Sequence, residues 1–499
     1  MLCQIIPFPQ ELRPQLPTIV GNVDSLTLRQ RLEQIDALLR DSGVEQAFVR
    51  RALAGWKVAG ARNTTALEQL KFQQRSRRAL RCTLLRTLLQ EDYRGFSCQL
   101  AGNPLDQWFC LVDALDQVRV PSKSEVQRFA HWLPAEQMRE VINGLLKGAV
   151  EQPRKLGLRE ALDLEAYFLD STCLKANIHF PTDWVLLRDG VRTLMKATLL
   201  IRQAGLRGRM APPEAFLRRM NRLSLEMTQQ ARRAGRKKGR KRVLRQMKKL
   251  VRVVRAHARR HRELLDQQWE QTDWTRAQAE QILRRLDRVL ELLPQAQQQA
   301  HERIIGERPV ANADKILSLY DADVQVIVRG KAGAEVEFGN TVLCGENRQG
   351  VILDYAIFRE SAPADSQTLF GSLVRVYEGT GHCVEAVATD RGFASAANSR
   401  ALKESGPFDA LCPRAPAELR RRMKGQKFAR LQRRRAQTEA RIGILKHGFL
   451  GSPMRAKGFA HRELALAWGV LTHNLWMLAK IRKPQQRTQP KAVPLPKAA

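Results

Sequence analysis

The chain has 499 residues, with 85 Lys or Arg against 50 Asp or Glu, so its formal net charge is +35 at pH 7. Such an excess repels itself unless a polyanion neutralises it, and nucleic acid is the usual polyanion. No apolar run reaches the roughly 18 residues of a membrane-spanning helix, and the N-terminus lacks a signal-peptide pattern. We therefore expect a soluble, cytoplasmic protein that binds nucleic acid and no membrane.

Cysteine and glycine patterns exclude several further classes. The eight cysteines are scattered, without a Cys-X-X-Cys pair or a Cys/His pair at zinc spacing. We interpret them as free thiols in a reducing compartment. The sequence has no phosphate-binding loop and no dinucleotide fingerprint, so we expect no nucleotide cofactor.

The N-terminal third is predicted to be helical. Residues 1–22 are Pro-rich and irregular, whereas residues 23–155 contain segments such as 26–40 and 79–89 with apolar residues at three- and four-residue spacing. We interpret residues 23–155 as a helical DNA-binding domain.

One segment of this domain, residues 120–132, has the pattern of a capped helix. Ser122 and Glu125 have the spacing of a capping box. The segment is a candidate recognition helix, with Arg128 as a DNA contact, because such helices reach base edges with their N-terminal residues. The alternative is an ordinary capped amphipathic helix.

A short apolar run, residues 166–169, is predicted to be a strand that ends at Asp170. A carboxylate at the C-terminal end of a buried strand points into the crevice where open α/β sheets bind ligands. Asp183 is a rival for this role. Because it precedes a predicted helix over 184–200, we interpret Asp183 as a helix N-cap or first-turn carboxylate.

A basic helical insertion is predicted at about 200–305, where no strand pattern occurs. Helices over 243–255 and over 274–293, the latter ending at Pro294, predict a hairpin or small bundle. The preceding block of cations favours phosphate contact over a merely solvated face. The candidate DNA contacts in this block are Arg236, Lys237, Lys238, Arg240, Lys241 and Arg242.

The next part of the chain is rich in β-formers. Runs at 324–328, 335–344 and 350–358 predict an antiparallel meander. A helix over 368–378, a strand over 384–389, a helix over 394–404 and a strand over 408–412 are predicted to follow. Asp390 directly follows the second-last strand, and Arg391 comes next. Glu337 and Asp354 are rival carboxylates, which we expect to face solvent in alternating strands.

Residues 435–446 are predicted to form one helix. On it Arg435, Glu439 and Lys446 would share one face, since they are spaced by four and seven residues. Taken alone, this pattern is typical of a surface ladder of ion pairs.

Together with Asp170 and Asp390, however, this segment resembles the catalytic motif of the DDE transposases of bacterial insertion sequences. The family signature around the glutamate is Tyr, two residues, Arg, three residues, Glu, six residues, Lys. Arg435, Glu439 and Lys446 match its last three positions, and Gln432 stands where the family has Tyr. The resemblance implies a ribonuclease-H-like catalytic domain with a mixed sheet over 156–480, interrupted by the basic insertion. The segment 481–499, rich in Pro, Gln and Lys, is expected to be a disordered tail.

The resemblance also implies a reaction and its components. Asp170, Asp390 and Glu439 would be catalytic and would hold two Mg²⁺ ions, with Mn²⁺ as a substitute, that clamp the attacking and leaving oxygens of a phosphodiester. Arg435, Lys446 and Arg391 would contact the DNA. The implied function is binding of the element's terminal inverted repeats in double-stranded DNA, then cleavage and strand transfer by a homo-oligomer on DNA.

Two alternatives remain open from the sequence. The first is a catalytically inactive or co-opted DNA-binding protein. The second is a structure-selective nuclease of the same fold, which would not need such extensive basic helical modules.

Overall fold

The computed structural model describes residues 6–7, 16, 20, 22–59, 64–113, 117–231, 237–331 and 334–483. Nearly all of the predicted irregular N-terminus and of the predicted tail lies outside these residues. Arg236 of the basic block also lies outside them.

The described residues form a mixed α/β structure, as the sequence predicted. The helices are α1 (Val23–Asp41), α2 (Val44–Val58), α3 (Ala66–Leu89), α4 (Tyr93–Gly102), α5 (Pro104–Cys110), α6 (Lys123–Ala130), α7 (Ala135–Glu151), α8 (Asp183–Gln203), α9 (Pro213–Ala231), α10 (Lys237–Gln268), α11 (Arg276–Ile304), α12 (Asp365–Thr380), α13 (Ala396–Ser405), α14 (Pro416–Arg422), α15 (Gln426–Arg435), α16 (Thr438–Leu445) and α17 (Phe459–Ile481). The strands are β1 (Tyr167–Lys175), β2 (Gln325–Lys331), β3 (Ala334–Asn347), β4 (Ile352–Ile357), β5 (Ala386–Thr389) and β6 (Phe408–Leu411).

One mixed sheet of six strands organises the middle of the molecule. Its order is β2-β3-β1-β5-β6, and β4 also pairs with β3. The pairs β1–β3, β2–β3 and β3–β4 are antiparallel, whereas β1–β5 and β5–β6 are parallel. The chain thus makes an antiparallel meander first and then adds two parallel strands, each reached through a helix.

The two faces of the sheet pack against different helices. Along β1, Tyr167 and Leu169 join a core that includes residues of α12, α17 and the N-terminal helices. Phe168 points the other way, since side chains alternate along a strand. It packs with Phe428 and Leu431 of α15. The sheet is therefore covered on both faces, and α15 lies on the face opposite the N-terminal helices.

The predicted basic insertion is a helical bundle with a core of its own. Helices α8, α9, α10 and α11 share a hydrophobic cluster that is separate from the clusters of the sheet. The expected end of the last helix at Pro294 is wrong, because α11 continues through this proline to Ile304. Ala296, Ala300 and Ile304 remain buried beyond it. Their packing stabilises the helix despite the hydrogen bond that proline removes.

The N-terminal helices share the core of the sheet. Buried residues from α1 to α7 belong to the same cluster as those of β1, β3 and α17. At its centre Arg81 donates to Glu45 at 2.6 Å and to Asp36 at 2.7 Å. All three side chains are buried. This region is therefore packed as one body with the sheet.

None of the described helices is both long enough and apolar enough to cross a membrane.

Candidate active site

Asp170 lies inside β1 and not at its end, which corrects the sequence prediction. The strand continues to Lys175 because its second half still pairs with β3, where Asp170 is opposite Cys344. The parallel ladder with β5, however, stops at Leu169 and Thr389. Asp170 is therefore the first residue of β1 beyond its pairing with β5.

Asp390 occupies the matching position on β5. It directly follows Thr389, the last residue of that strand. Both aspartates continue the alternation of Phe168 and Ala388, which face α15. The structure thus brings Asp170 and Asp390 together on the face that α15 covers.

A backbone turn and a third acid flank Asp390. The Gly392 N–H donates to Asp390 Oδ1 at 2.9 Å. A Cβ atom on Gly392 would lie 3.1 Å from Asp390 Oδ1 and 2.7 Å from Asp365 Oδ2. Asp365, in the first turn of α12, is therefore a further carboxylate at this site. Asp365 was not among the predicted site residues, because its position at the start of a helix is common for an acidic residue.

Glu439 lies at the start of α16, and the predicted single helix over 435–446 is wrong. Arg435 ends α15, a turn at residues 436–437 follows, and α16 begins at Thr438. Lys446 begins a π-helical turn, Lys446–Leu450. Glu439 itself is exposed.

Buried Glu346 explains the break between the two helices. Arg434, in the last turn of α15, donates to Glu346 Oε1 at 3.1 Å, and Thr438 donates to the same oxygen at 3.2 Å. Arg441 lies 3.7 Å from Oε2. Both helices are thus fixed to β3 by the residues beside the predicted stripe. This break could not be predicted from local sequence, because Glu346 has the pattern of an ordinary strand residue.

Gln432 has a structural contact of its own at the position where the family has Tyr. Its Nε2 donates to the Thr389 carbonyl at 3.2 Å and to the Ala410 carbonyl at 2.5 Å. Thr389 is the last residue of β5, and Ala410 is the last but one of β6. Gln432 therefore holds α15 directly beside Asp390.

The cations of the predicted motif surround the aspartates. Arg435 interacts electrostatically with Asp170. Among the described residues its Nε atom has no hydrogen-bond partner, although it is buried. Lys446 Nζ donates to Thr172 Oγ1 at 3.2 Å, two residues beyond Asp170 on the same face of β1. Arg391 is exposed next to Asp390.

The electrostatics of Asp170 reflect this arrangement. Burial and then the charge of Asp390 raise its pKa to about 6, and Glu439 adds to the effect. A hydrogen bond from the Ser171 N–H and the charge of Arg435 act in the opposite direction. Asp390 and Glu439 are therefore both close enough to Asp170 to repel its charge, which disfavours the charged form of Asp170.

The donors at this site suit a hard cation, because Mg²⁺ prefers carboxylate oxygens. In the part of the chain that the structure describes, no three His, Cys, Asp or Glu side chains are arranged so that they could hold a metal ion. The carboxylate donors thus fit Mg²⁺ in their chemistry. As placed in the structure, however, the carboxylates are neighbours that do not converge on one point.

The rival carboxylates make other contacts. Asp183, in the first turn of α8 as predicted, accepts from Gln299 and from Arg303, both at 2.9 Å. Asp354 was expected to face solvent, but the structure buries it, because β4 is covered on that side. Arg375 pairs with both oxygens of the Asp354 carboxylate, at 2.8 and 2.7 Å. Glu337 pairs with Lys175 at 3.1 Å.

The described part of the basic block begins α10, and several of its cations have acidic partners. Lys237 and Lys241 pair with Glu307 at 2.8 and 2.7 Å. They lower the pKa of Glu307 to about 2. Arg242 pairs with Glu226 at 3.2 Å. Arg240 is half-buried, and Lys238 is exposed.

A longer cationic surface runs along α10 than the predicted block. We call it the α10 stripe; its members are the exposed residues Lys238, Arg242, Arg245, Lys249, Arg252 and Arg259. Their three-, four- and seven-residue spacing keeps them on one side of the helix over about 32 Å. Within the described residues, Arg242 is the member with an acidic partner. Such a surface suits contact with several phosphates.

The candidate recognition helix forms as α6. Ser122 caps it by accepting from the Glu125 N–H at 3.3 Å. The Glu125 side chain pairs with Arg75 at 2.9 Å. Arg128 is exposed in the last turn.

A comparison of the chain with protein-family models, with curated proteins and with solved structures gave no match.

Proposed function

We propose that the chain is a DDE transposase that binds the ends of its element in double-stranded DNA and carries out metal-dependent cleavage and strand transfer. One observation carries this proposal: Asp170 lies beside Asp390 at the end of the β1–β5 ladder and interacts electrostatically with both Asp390 and Glu439. Three carboxylates beside two cations suit phosphodiester chemistry.

The succession of elements supports a ribonuclease-H-like catalytic domain. An antiparallel meander is followed by α12, parallel strand β5, α13 and parallel strand β6. This is the succession expected of such a domain. The bundle α8–α11 would then be an insertion between its first and second strands.

Each residue of the site has a role that follows from its position. Asp170, Asp390 and Glu439 would hold two Mg²⁺ ions, which supply stabilisation of charge on the attacking and leaving oxygens. Arg435, with its buried and unpartnered Nε in the described structure, and Lys446 would orient the scissile phosphate. Asp170 carries its negative charge above its pKa of about 6, so the site binds cations best in neutral or basic solution.

The partner in this proposal is double-stranded DNA, bound by a homo-oligomer that brings two ends together. The α10 stripe supports the DNA part, since each lysine or arginine placed on a phosphate releases counterions. The cations at the end of α15 and the exposed Arg391 would extend this contact to the carboxylates.

Strand cleavage tests the proposal. DNA that carries the sequences flanking the gene is incubated with wild type, Asp390→Ala or Glu439→Gln, each with Mg²⁺ and with chelator. We expect wild type with Mg²⁺ to cut at the flanks and to join the 3′ ends to a second duplex. Each variant should lose at least about 100-fold in rate.

The control is Glu360→Gln, which removes an exposed carboxylate outside the site. It should cut like wild type. Equal cutting by wild type and Asp390→Ala would disprove the assignment of the site.

The second candidate function is DNA binding without catalysis. It is favoured by the exposure of Glu439 and by the lack, among the described residues, of a ready-made group of metal ligands. In the same experiment it predicts that all of these proteins bind the DNA with one salt dependence and that none cuts it.

A further inference from the structure

A cleft of about 730 Å³ lies between the N-terminal helices and the C-terminal part of the chain. Its walls are the end of α3, the start of α4, the end of α6, the segment 449–457 and the start of α17. His131 Nε2 and His461 Nδ1 lie 2.9 Å apart and join α6 to α17 at one wall. None of the residues proposed above for catalysis lines this cleft.

Two arginines that line the cleft, Arg86 and Arg455, are close enough to interact electrostatically. Arg86 donates from Nη1 to the Glu91 carbonyl at 3.2 Å and lies 4.8 Å from the centre of the Tyr93 ring. Its Nε is buried, and in the described structure it has no hydrogen-bond partner. Arg455 is exposed and close enough to add to the effect of burial, which lowers the pKa of Arg86. Two guanidinium groups that repel each other across a cleft are stabilised by an anion between them.

The carboxylates of the cleft lie at the start of α4, where Asp92 also interacts electrostatically with Arg455. Asp92 caps α4 by accepting from the Arg94 and Gly95 N–H groups, both at 2.8 Å. Glu91 Oε2 would lie 2.6 Å from a Cβ atom on Gly95, so it lies against the same helix start. Lys457 adds a third cation to the lining. Three cations thus line the cleft together with two carboxylates, so the net charge of its lining is positive.

The cleft is linked to the candidate active site by two segments. Asn177, which lines it, is seven residues beyond Asp170 along β1 and its extension. Seven residues of extended chain span at most about 23 Å. Phe449, also in the lining, follows Lys446 in the same π-helical turn. A separation of about 23 Å corresponds to about seven nucleotides along one strand of a duplex.

We infer that this cleft binds a backbone phosphate of the DNA strand that passes through the candidate active site, with Arg86 and Arg455 as its ligands. The identity of the polyanion rests on the proposed function. The anion-binding chemistry rests on the cleft alone, and free phosphate could also satisfy it.

Fluorescence anisotropy with a labelled duplex of the flanking sequence tests the inference. Binding by the full chain is measured with chelator at about 50 to about 200 mM salt, so that no cleavage is needed. Arg455→Gln should lower the slope of log affinity against log salt by about 0.9 and the affinity about eightfold at ~0.1 M salt. Arg154→Gln, which changes an exposed arginine outside the cleft, should leave both unchanged.

A second variant tests the buried ligand. Arg86→Lys keeps the charge but not the planar fork of donors, so it should weaken binding with little change of the salt slope. Thermal unfolding of each variant shows whether it has folded. If Arg455→Gln binds DNA as Arg154→Gln does, the inference is wrong.

Inorganic phosphate separates the two sources of the anion. If phosphate raises the melting temperature of wild type but not of Arg455→Gln, while the DNA salt slopes agree, the cleft binds free phosphate and the assignment to DNA is overturned. If wild type cleaves DNA but Arg455→Gln and wild type have equal salt slopes, the proposed function stands and the cleft is not a DNA-binding site. If Arg455→Gln lowers the salt slope but wild type does not cleave, the cleft binds DNA and the proposed catalytic function is wrong.

Discussion

The two helical regions are both rich in basic residues but differ in where their charges lie. In α1–α7 the central charges are buried and paired, as in the contacts of Arg81 with Asp36 and Glu45. In the bundle α8–α11 the core is apolar, and the α10 stripe lies outside it. The first region shares the core of the sheet, whereas the second has its own. Basic composition alone therefore does not show which cations hold the fold and which are available to a partner.

The largest expected effect comes from the buried pairs of the first region. Arg81→Met should lower the free energy of unfolding by about 3–5 kcal/mol, because it removes the cation that buried Asp36 and Glu45 share. Arg40 and Arg77 would remain beside these two carboxylates. Urea unfolding should measure this loss of stability. Hydrogen exchange should show reduced protection throughout α1–α7 and the sheet. Protection of the bundle should remain.

Arg40→Met is the matched control, since Arg40 pairs with the same Asp36 at 3.2 Å but its side chain is 55% exposed. Its loss should be below about 1 kcal/mol. Equal losses in the two variants would contradict the distinction between buried and exposed pairs.

The next effect tests whether the bundle is independent of the sheet. Leu286 is fully buried in its core. Leu286→Ala should cost about 2–5 kcal/mol through lost burial and the cavity that remains. Hydrogen exchange should speed up in α8–α11 and not in β1 or β3.

Leu225→Ala serves as the control, because Leu225 lies on α9 of the same bundle but is 61% exposed. It should change stability by less than about 0.5 kcal/mol. Faster exchange in β1 of Leu286→Ala would mean that the two cores unfold together.

A smaller effect is expected at Asp170, because its negative charge is mostly buried and is repelled by the nearby carboxylates of Asp390 and Glu439. Its pKa is raised from 3.8 in the unfolded chain to about 6 in the folded protein. The folded state therefore binds the proton more tightly, and this group destabilises the protein as pH rises through that range. Asp170→Asn should be more stable than wild type by about 1–3 kcal/mol at pH well above 6, since one pKa unit is about 1.4 kcal/mol.

Urea unfolding of both proteins with chelator, at acidic and at basic pH, checks this. The difference should disappear below the unfolded pKa, where the wild-type carboxyl is protonated in both states. A difference that is the same at every pH would show that the amide, and not the removed charge, changes the stability.

Much of the candidate site could be predicted from the sequence because it depends on local patterns. A β-rich run that closes on Asp390 identified the end of β5. The apolar run before Asp170 predicted a strand there, although the strand continues beyond Asp170. The succession of meander, helix and strands was also readable, since hydrophobic periodicity sets the element type.

The rest depends on contacts between distant parts of the chain. The break before Glu439 arises from Glu346, which lies more than eighty residues earlier and binds both helices. The amphipathic pattern of its helix predicts Arg81 on the polar, exposed side. In the structure Arg81 is fully buried and pairs with acidic residues from two other helices. The helix through Pro294 continues because its far end packs on the bundle core. No local pattern contains these partners.

The smallest effect on stability, with a clear effect on binding, is expected from the α10 stripe. Lys249→Gln combined with Arg252→Gln should change the free energy of unfolding by less than about 0.5 kcal/mol, because both side chains are exposed. The slope of log affinity for duplex DNA against log salt should fall by about 0.9 for each lost phosphate contact. The matched control is Arg284→Gln with Arg285→Gln, which removes two exposed cations of the same bundle from α11. If both pairs of substitutions lower the slope equally, the bundle attracts DNA through its net charge alone. If only the α10 pair does, the stripe is the surface that lies on the phosphates, and the contrast with the buried charges of α1–α7 is one of function as well as of position.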